Sequence, residues 1–392
     1  MKRRIAELLE QGDVRAARAW FERHDARTLA LQEELVAIPA PTGAEGERAA
    51  FVGDRMRALG LADVRTDIAG NVLARLGEGP EPGLVLCAHL DTVFPAGTDL
   101  DVVQAGSRLS APGIGDNARG LAALLVLAEV IVECDVRLAG GLTLVASVGE
   151  EGEGNLRGVR HLFEGPAFRP RAFIALDGPG LERIVHRGLG SRRLRATYRG
   201  PGGHSWAAFG VPNPAHAVGA AAAAIAEIPL SAEPRTTLTV ARLGGGTTIN
   251  TIPQDAWLEL DLRSEDTTTL DAAWRAVQRV LQSALESANR RRAPGTAPLT
   301  LETTPLGERP PGATDANHPL VQAALAATHA VDAKATLAAG STDANVPMSL
   351  GIPAIALGAG GIGGDAHLTS EWFENVGGPA GLLRALLVVL AV

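Results

Sequence analysis

Aromatic residues are scarce in this 392-residue chain, with eight Phe, five Trp and one Tyr making up 4% of it. Its core must therefore be built from aliphatic and small side chains. The 46 glycines and many alanines point to turns and closely packed helices rather than disorder, because 46% of residues are apolar and 20% charged. Cysteine is nearly absent. Cys87 and Cys134 are too few for a disulfide framework, no CxxC zinc spacing occurs, and both read as buried small residues. Basic charge is short as well: 36 Lys and Arg against 44 Asp and Glu leave a formal charge of −8. That excludes a general nucleic-acid binder, which needs a dense basic face. The run Arg290, Arg291, Arg292 reads as a solvated helix end. No apolar stretch reaches the roughly 18 residues of a membrane span. The N-terminal MKRRIAELLEQGD meets Glu7 and Glu10 before any long apolar run, so it is not read as a signal peptide. A soluble, cytoplasmic protein with neither nucleic-acid nor membrane partners is expected.

The length exceeds the roughly 100–200 residues of one domain, so at least two are expected. Positions 1–38 read as helical, with Ile5, Leu8 and Leu9 and then Leu29, Leu31 and Leu35 recurring before Pro39, Pro41 and Gly43. From 84 onward, short apolar runs end in polar residues. The run 84–88 ends at His89, 142–148 just before Glu150 and Glu151, and 173–176 at Asp177, while 354–357 precedes a glycine-rich turn to His367. Helical patterns such as 117–133 lie between them. This alternation predicts an α/β fold, a mainly parallel sheet sandwiched by helices. Ligands of such sheets bind beyond the carboxyl ends of the strands. The middle section differs: 194–198, 237–241 and 257–262 read as strands, separated by helices at about 214–228 and 268–289. The expected division is a main domain over 1–190 and 306–392, with 1–27 as a helical extension, and an inserted α+β domain over 191–305. The segment 294–311 reads as strand and loop returning to the main domain.

The polar residues at the run ends carry the chemistry. His89 and Asp91, two apart in extended chain, face one side. His89 can bind a metal through one ring nitrogen while Asp91 accepts from the other; a structural histidine is the alternative. Asp116 opens a helix, as ligand or as N-cap. The adjacent Glu150 and Glu151 repel unless a cation is present, so that one can coordinate and the other hold water; a solvated acidic loop running on to Glu153 is the alternative. An unpartnered Asp177 at the end of a buried strand would be costly. His367 sits in the turn 364–368. Two histidines and three carboxylates at strand ends suit two Zn²⁺ ions sharing one carboxylate. Gly358 to Gly363 fits GxGxxG, but no helix pattern follows, so it is not read as a dinucleotide site.

The ordered set AHLDTV at 88–93, GIGDNARG at 113–120, GEEGEG at 149–154, LDGPG at 176–180, GGHSW at 202–206, INTIP at 249–253, DLR at 261–263, GSTDAN at 340–345 and GDAHLTSEW at 364–372 resembles one family. It is that of the dinuclear zinc peptidases and amidohydrolases, including peptidase T, carboxypeptidase G, acetylornithine deacetylase, succinyl-diaminopimelate desuccinylase and aminoacylase. The resemblance spans the chain from about residue 28 and implies roles residue by residue. His89 and Asp177 would hold one zinc and Glu151 and His367 the other, with Asp116 bridging; Co²⁺ or Mn²⁺ can share such ligands. Glu150 would be the general base, taking a proton from the attacking water and passing it to the leaving amine, and Asp91 would orient His89. A cis peptide is implied at Asp116-Asn117. The inserted domain resembles the family's lid and dimerisation domain, which implies a homodimer. His204 would polarise the scissile carbonyl in a partner subunit's site, Asn250 would act from the same side, and Arg263 would clamp a substrate carboxylate. Gly340 and Ser341 would line the substrate cleft.

Asp177, where the deacylase branches more often carry Glu, together with LDGPG and GSTDAN, resembles peptidase T and its relatives. The expected activity is hydrolysis of small peptides, of the aminopeptidase or di- and tripeptidase type. An N-acyl amino acid deacylase is the alternative. A free substrate amine needs an acidic anchor, for which Asp343 and Glu371 are candidates. A catalytically dead scaffold is the reading from another class, disfavoured because every expected ligand position and Glu150 are filled.

Overall fold

The computed structural model describes residues 1–79 and 82–392. They divide into two compact units, Met1–Gly188 with Gly312–Val392, and Leu189–Pro311.

The first unit is built on a sheet that has nine strands among the described residues. At its centre Leu142–Ser147, Leu84–His89, Ala172–Leu176 and Ala354–Leu357 lie side by side in parallel. All four are buried along their whole length. This is why they read as unbroken apolar runs: a strand covered by helices on both faces has no polar side to alternate with. Antiparallel strands flank this centre, Val72–Leu76 and Ala62–Thr66 on one side and Arg183–Gly188 with Gly312–Ala313 on the other, and Thr336–Gly340 pairs in parallel with Arg183–Gly188. The helix Ala118–Glu133 is buried along most of its length, as is expected of a helix that is apolar all round. The parallel strands share one polarity, so His89, Glu150, Glu151 and Asp177 all follow carboxyl ends on one edge.

Positions 1–38 form three helices, Lys2–Leu9, Gly12–Arg23 and Asp25–Ala37. The expected extension over 1–27 is part of the main unit's core. Ile5, Leu8, Val14, Ala17, Trp20 and Phe21 join the same buried cluster as residues of Pro319–Ala330 and Gly378–Ala391, and the Trp20 indole donates to Glu133 at 2.7 Å.

The second unit is a four-stranded antiparallel sheet in the order Thr236–Gly245, Asp255–Ser264, Gly190–Arg199, Thr300–Arg309. The helices Pro214–Ala226 and Thr267–Arg290 pack on it. Thr267–Arg290 buries Leu270, Ala273, Val277, Leu281, Ala284 and Ala288, the three-and-four spacing of a one-sided helix. Asn213 and Asp266 cap the two helices with their side chains. The segment 294–311 differs from expectation: rather than returning to the main unit, Thr300–Arg309 supplies the fourth strand here, paired with Gly190–Arg199. Its hydrogen-bonding edge found a partner that its short apolar pattern did not identify.

Candidate metal centre

Three groups of side chains in the first unit converge so that one ligand atom from each member lies within 4.8 Å of the others. They are His89 with Asp116 and Asp177, Asp116 with Glu151 and His367, and His89 with Glu150 and Glu151. The first two share Asp116. His89 Nε2 lies 3.0 Å from Asp116 Oδ1 and 3.9 Å from Asp177 Oδ1. His367 Nε2 lies 3.0 Å from Glu151 Oε1 and 3.3 Å from Asp116 Oδ2. The two oxygens of Asp116 thus face different histidines, an arrangement that lets one carboxylate serve two ions.

Four carboxylates and two imidazoles in so small a space carry an excess of negative charge, and the titration of the histidines reflects it. Hydrogen bonds to Asp116 and Glu151 push His367 up to about 10, against the opposing effect of burial. Burial works to lower the His89 pKa, but its bonds with Asp116, Asp177 and Asp91 overcome that and raise it well above the ordinary value. Burial likewise opposes ionisation of Asp116, yet His367 and His89 hold it well below the usual carboxylate range. A mixed nitrogen and oxygen donor set of this charge fits a pair of divalent cations such as Zn²⁺, Co²⁺ or Mn²⁺.

The surrounding residues explain how each ligand is placed. Asp91 sits beneath His89, whose Nδ1 is 3.1 Å from its carbonyl oxygen and 3.6 Å from Oδ1. Its carboxylate is fully buried and accepts the backbone N–H groups of Glu150 and Glu151, each at 2.9 Å, and the Thr42 hydroxyl at 2.8 Å. It therefore ties the two strand-end loops together. Asp116 is not the helix cap that its position allowed. Asn117 caps Ala118–Glu133, accepting from Gly120 N–H, which leaves the Asp116 carboxylate free to face the cluster. The Asp116-Asn117 peptide is cis. Gly120 is required there, since a Cβ would lie 2.1 Å from Asn117 Oδ1 and 2.5 Å from the Leu176 carbonyl.

Neither acidic anchor considered for a substrate amine is available for that role. Glu371 is 2% exposed and accepts N–H groups from Gly113, Gly115 and Asp116 at 2.8–2.9 Å; burial pushes it up to about 7 against those three bonds. Asp343 is 3% exposed and bonded to Ser147 and Cys87. Glu371 is instead the clamp of the Asp116 loop. Replacing it by alanine strands three buried donors, each worth about 1–3 kcal/mol. Thermal unfolding should show a loss of about 3 kcal/mol or more, and Glu371→Gln, which keeps an acceptor, should lose less. Equal stability of Glu371→Ala and the parent protein would remove the clamp from the account.

Several supporting residues left no pattern in the sequence. Arg48 donates to the Ile38 and Leu90 carbonyls, Arg119 to those of Ala359 and Gly378, and Arg384 to those of Leu181 and Gly358. All three arginines are buried, and burial pulls each down to about 10. An arginine inside an otherwise apolar helix such as Gly378–Ala391 is the one signal that could have flagged them. His367 is held at φ 69° and Asp365 at φ 57°, a left-handed backbone that costs of order 1–3 kcal/mol in a non-glycine residue and gathers at functional sites.

The remaining expected residues lie elsewhere. Gly340 is buried at the end of Thr336–Gly340, close to Val185, and neither it nor Ser341 belongs to the three groups. His204, Asn250 and Arg263 lie in the second unit. His204 pairs opposite Thr251, and the Asn250 carbonyl accepts from Ser205 N–H at 2.9 Å, so these two are neighbours. Arg263 is not with them. It lies eight residues beyond Asp255 on one strand, about 26 Å at the rise of extended chain, and its guanidinium is paired with Asp261.

Comparison with known proteins places these features in a known setting. The profile of peptidase family M20/M25/M40 matches residues 85–391. Succinyl-diaminopimelate desuccinylase from Corynebacterium glutamicum is 28% identical over 262 residues, 65% of this chain and 70% of that one. The crystal structure of a tripeptidase from Staphylococcus aureus superposes with a TM-score of 0.77 at 23% identity, covering 93% of this chain and 97% of that one. Aminopeptidase PepT from Bacillus cereus does so with a TM-score of 0.74 at 21% identity, covering 94% and 99%.

Proposed function

The chain belongs to peptidase family M20/M25/M40 and is a metal-dependent hydrolase, and from that premise we propose that it cleaves amide bonds in small peptides at a centre of two divalent cations. The observation that carries this reading is the pair of ligand groups sharing Asp116, with Glu150 beside them. His89 and Asp177 would hold one cation, Glu151 and His367 the other, and Asp116 would bridge them, with zinc as the metal that suits the donors. Two such cations supply Lewis-acid polarisation of the scissile carbonyl and a lowered pKa for the attacking water.

The chain's own residues do the rest. Glu150, 4% exposed, takes the proton from the water on its carboxylate and returns it to the departing nitrogen. Asp91 holds the loop that aims Glu150. His204 and Asn250 bind the carbonyl side of the substrate, Arg263 its carboxylate, and Gly340 and Ser341 border the cleft. A small substrate cannot span about 26 Å of one strand, so these roles fit two copies of the chain, with His204 and Asn250 acting on a partner's substrate. A homodimer formed through the second unit satisfies this. Two unpaired thiols, Cys87 and Cys134, suit the reducing cytoplasm, and no helix of the described residues is long and apolar enough to cross a membrane.

The peptide substrate is supported by Asp177 at the third run end and by the tripeptidase and aminopeptidase among the structural neighbours. A second reading, N-acyl amino acid deacylase, is favoured by the desuccinylase relative and by the burial of both Asp343 and Glu371. Assays of the zinc-loaded enzyme on di- and tripeptides, with free and acetylated N-termini, alongside N-acyl amino acids decide between them. Peptides with a free amine should be cleaved at least tenfold faster; faster cleavage of the blocked compounds transfers the protein to the second reading.

A further inference from the structure

A cavity of about 500 Å³ opens against Glu151, between the turn at 41–43, the segment 92–95 and the turn at 152–154. Its walls are largely apolar, with Pro41, Val93, Phe94 and Pro95 and the two threonines Thr42 and Thr92 among its lining. They are also held in place. Pro41 bridges to Thr92, Thr42 N–H donates to the Thr92 carbonyl, and the Thr42 hydroxyl donates to Asp91. Gly154 N–H closes the opposite turn on the Glu151 carbonyl at 2.7 Å.

Two charged side chains besides Glu151 face this space, and their states differ. Arg157 is already neutralised: its guanidinium meets both oxygens of buried Glu45 at 2.9 and 3.1 Å and the Ala69 carbonyl at 2.6 Å. Glu153 is exposed and has no hydrogen-bond or ion-pair partner among the described residues. The cavity is therefore apolar along its walls and carries one uncompensated negative charge at its solvent edge. A side chain with an aliphatic stem and a cationic head matches that arrangement, burying the stem while the head stays in water. An acidic side chain would meet Glu153 instead, and a purely aliphatic one would leave that charge unused.

We propose that this cavity is the subsite for a basic residue of the substrate, its stem against Val93 and Pro95 and its ammonium or guanidinium paired with Glu153. The proposal rests on the reading of the neighbouring cluster as an amide-cleaving centre. The test compares otherwise identical dipeptides and N-acyl amino acids carrying lysine or norleucine, which has an aliphatic chain but no ammonium, on either side of the amide. In the metal-loaded wild type, kcat/KM should favour lysine on one side. Glu153→Gln should reduce the lysine-to-norleucine ratio about two- to fivefold, the size of an exposed ion pair, and Glu153→Lys should bring it below one. Val93→Trp, which fills the cavity, should raise KM for both long side chains relative to alanine. If amides are cleaved but the ratio is the same in wild type and both Glu153 variants, the subsite is overturned and the amide-cleaving reading stands. If the metal-loaded protein cleaves none of the series, both fall.

Discussion

Replacing Glu150 by alanine should lower kcat by roughly 10²–10⁴-fold, the usual contribution of a positioned general base, and should leave the metal content as it was. Two features of the site separate these outcomes. The two ligand groups that share Asp116 do not include Glu150, so under the proposed assignment its carboxylate is not needed to hold either cation. Its backbone N–H is anchored on Asp91 at 2.9 Å, a bond that alanine keeps, so the loop and the adjacent Glu151 remain in place. Steady-state kinetics on the best amide substrate, with elemental analysis of the same preparation, reads both quantities. Loss of metal in parallel with activity would make Glu150 a ligand, as its proximity to His89 and Glu151 permits. Activity within threefold of wild type would move the base elsewhere.

Asp116→Asn acts on the metals themselves. Asp116 is the one residue common to the His89–Asp177 and Glu151–His367 groups, and it supplies one oxygen to each histidine's neighbourhood. Neutralising it removes negative charge from both positions at once. Outer partners of metal ligands are worth 10–100-fold in affinity, so a shared ligand should cost more than about 100-fold, with both ions lost and hydrolysis below detection. His367→Ala removes a ligand from one group only and should leave one ion bound. Competitive chelator titration with ion counting distinguishes them; an Asp116→Asn protein that keeps two tightly held ions would overturn the bridging role.

The main sheet was legible because its central strands are buried on both faces, which writes each as a continuous apolar run. Their polar terminators followed from the same pattern: His89 closes its strand, Asp177 comes directly after its own, and Glu151 lies in the turn just beyond Leu142–Ser147. The inserted strands Gly190–Arg199 and Asp255–Ser264 were legible in their central portions. The segment 294–311 reads as strand and loop but not as part of the inserted sheet, because Thr300–Arg309 is an edge strand that is mostly exposed, with Pro305 within it, and carries little pattern of its own. Glu371 and Asp343 looked like free acids because their neighbours in sequence say nothing of what surrounds them in space. The partners of Glu371 are backbone N–H groups about 255 residues away, which no local pattern reports.

The sequence by itself singled out the candidate donors His89, Asp116, Glu151, Asp177 and His367, and Glu150 as the candidate base, because residue type and placement at a strand end, a helix start or a turn are local properties. Tertiary structure alone decided which of these donors meet. The convergence of two groups on Asp116, the capping of its helix by Asn117 and the locking of both strand-end loops by Asp91 depend on strands that are distant in sequence and adjacent in the sheet. It likewise paired His204 with Thr251, beside Asn250, while Arg263 lies near the far end of the separate strand Asp255–Ser264, whose length is fixed by the rise of extended backbone rather than by any residue's chemistry.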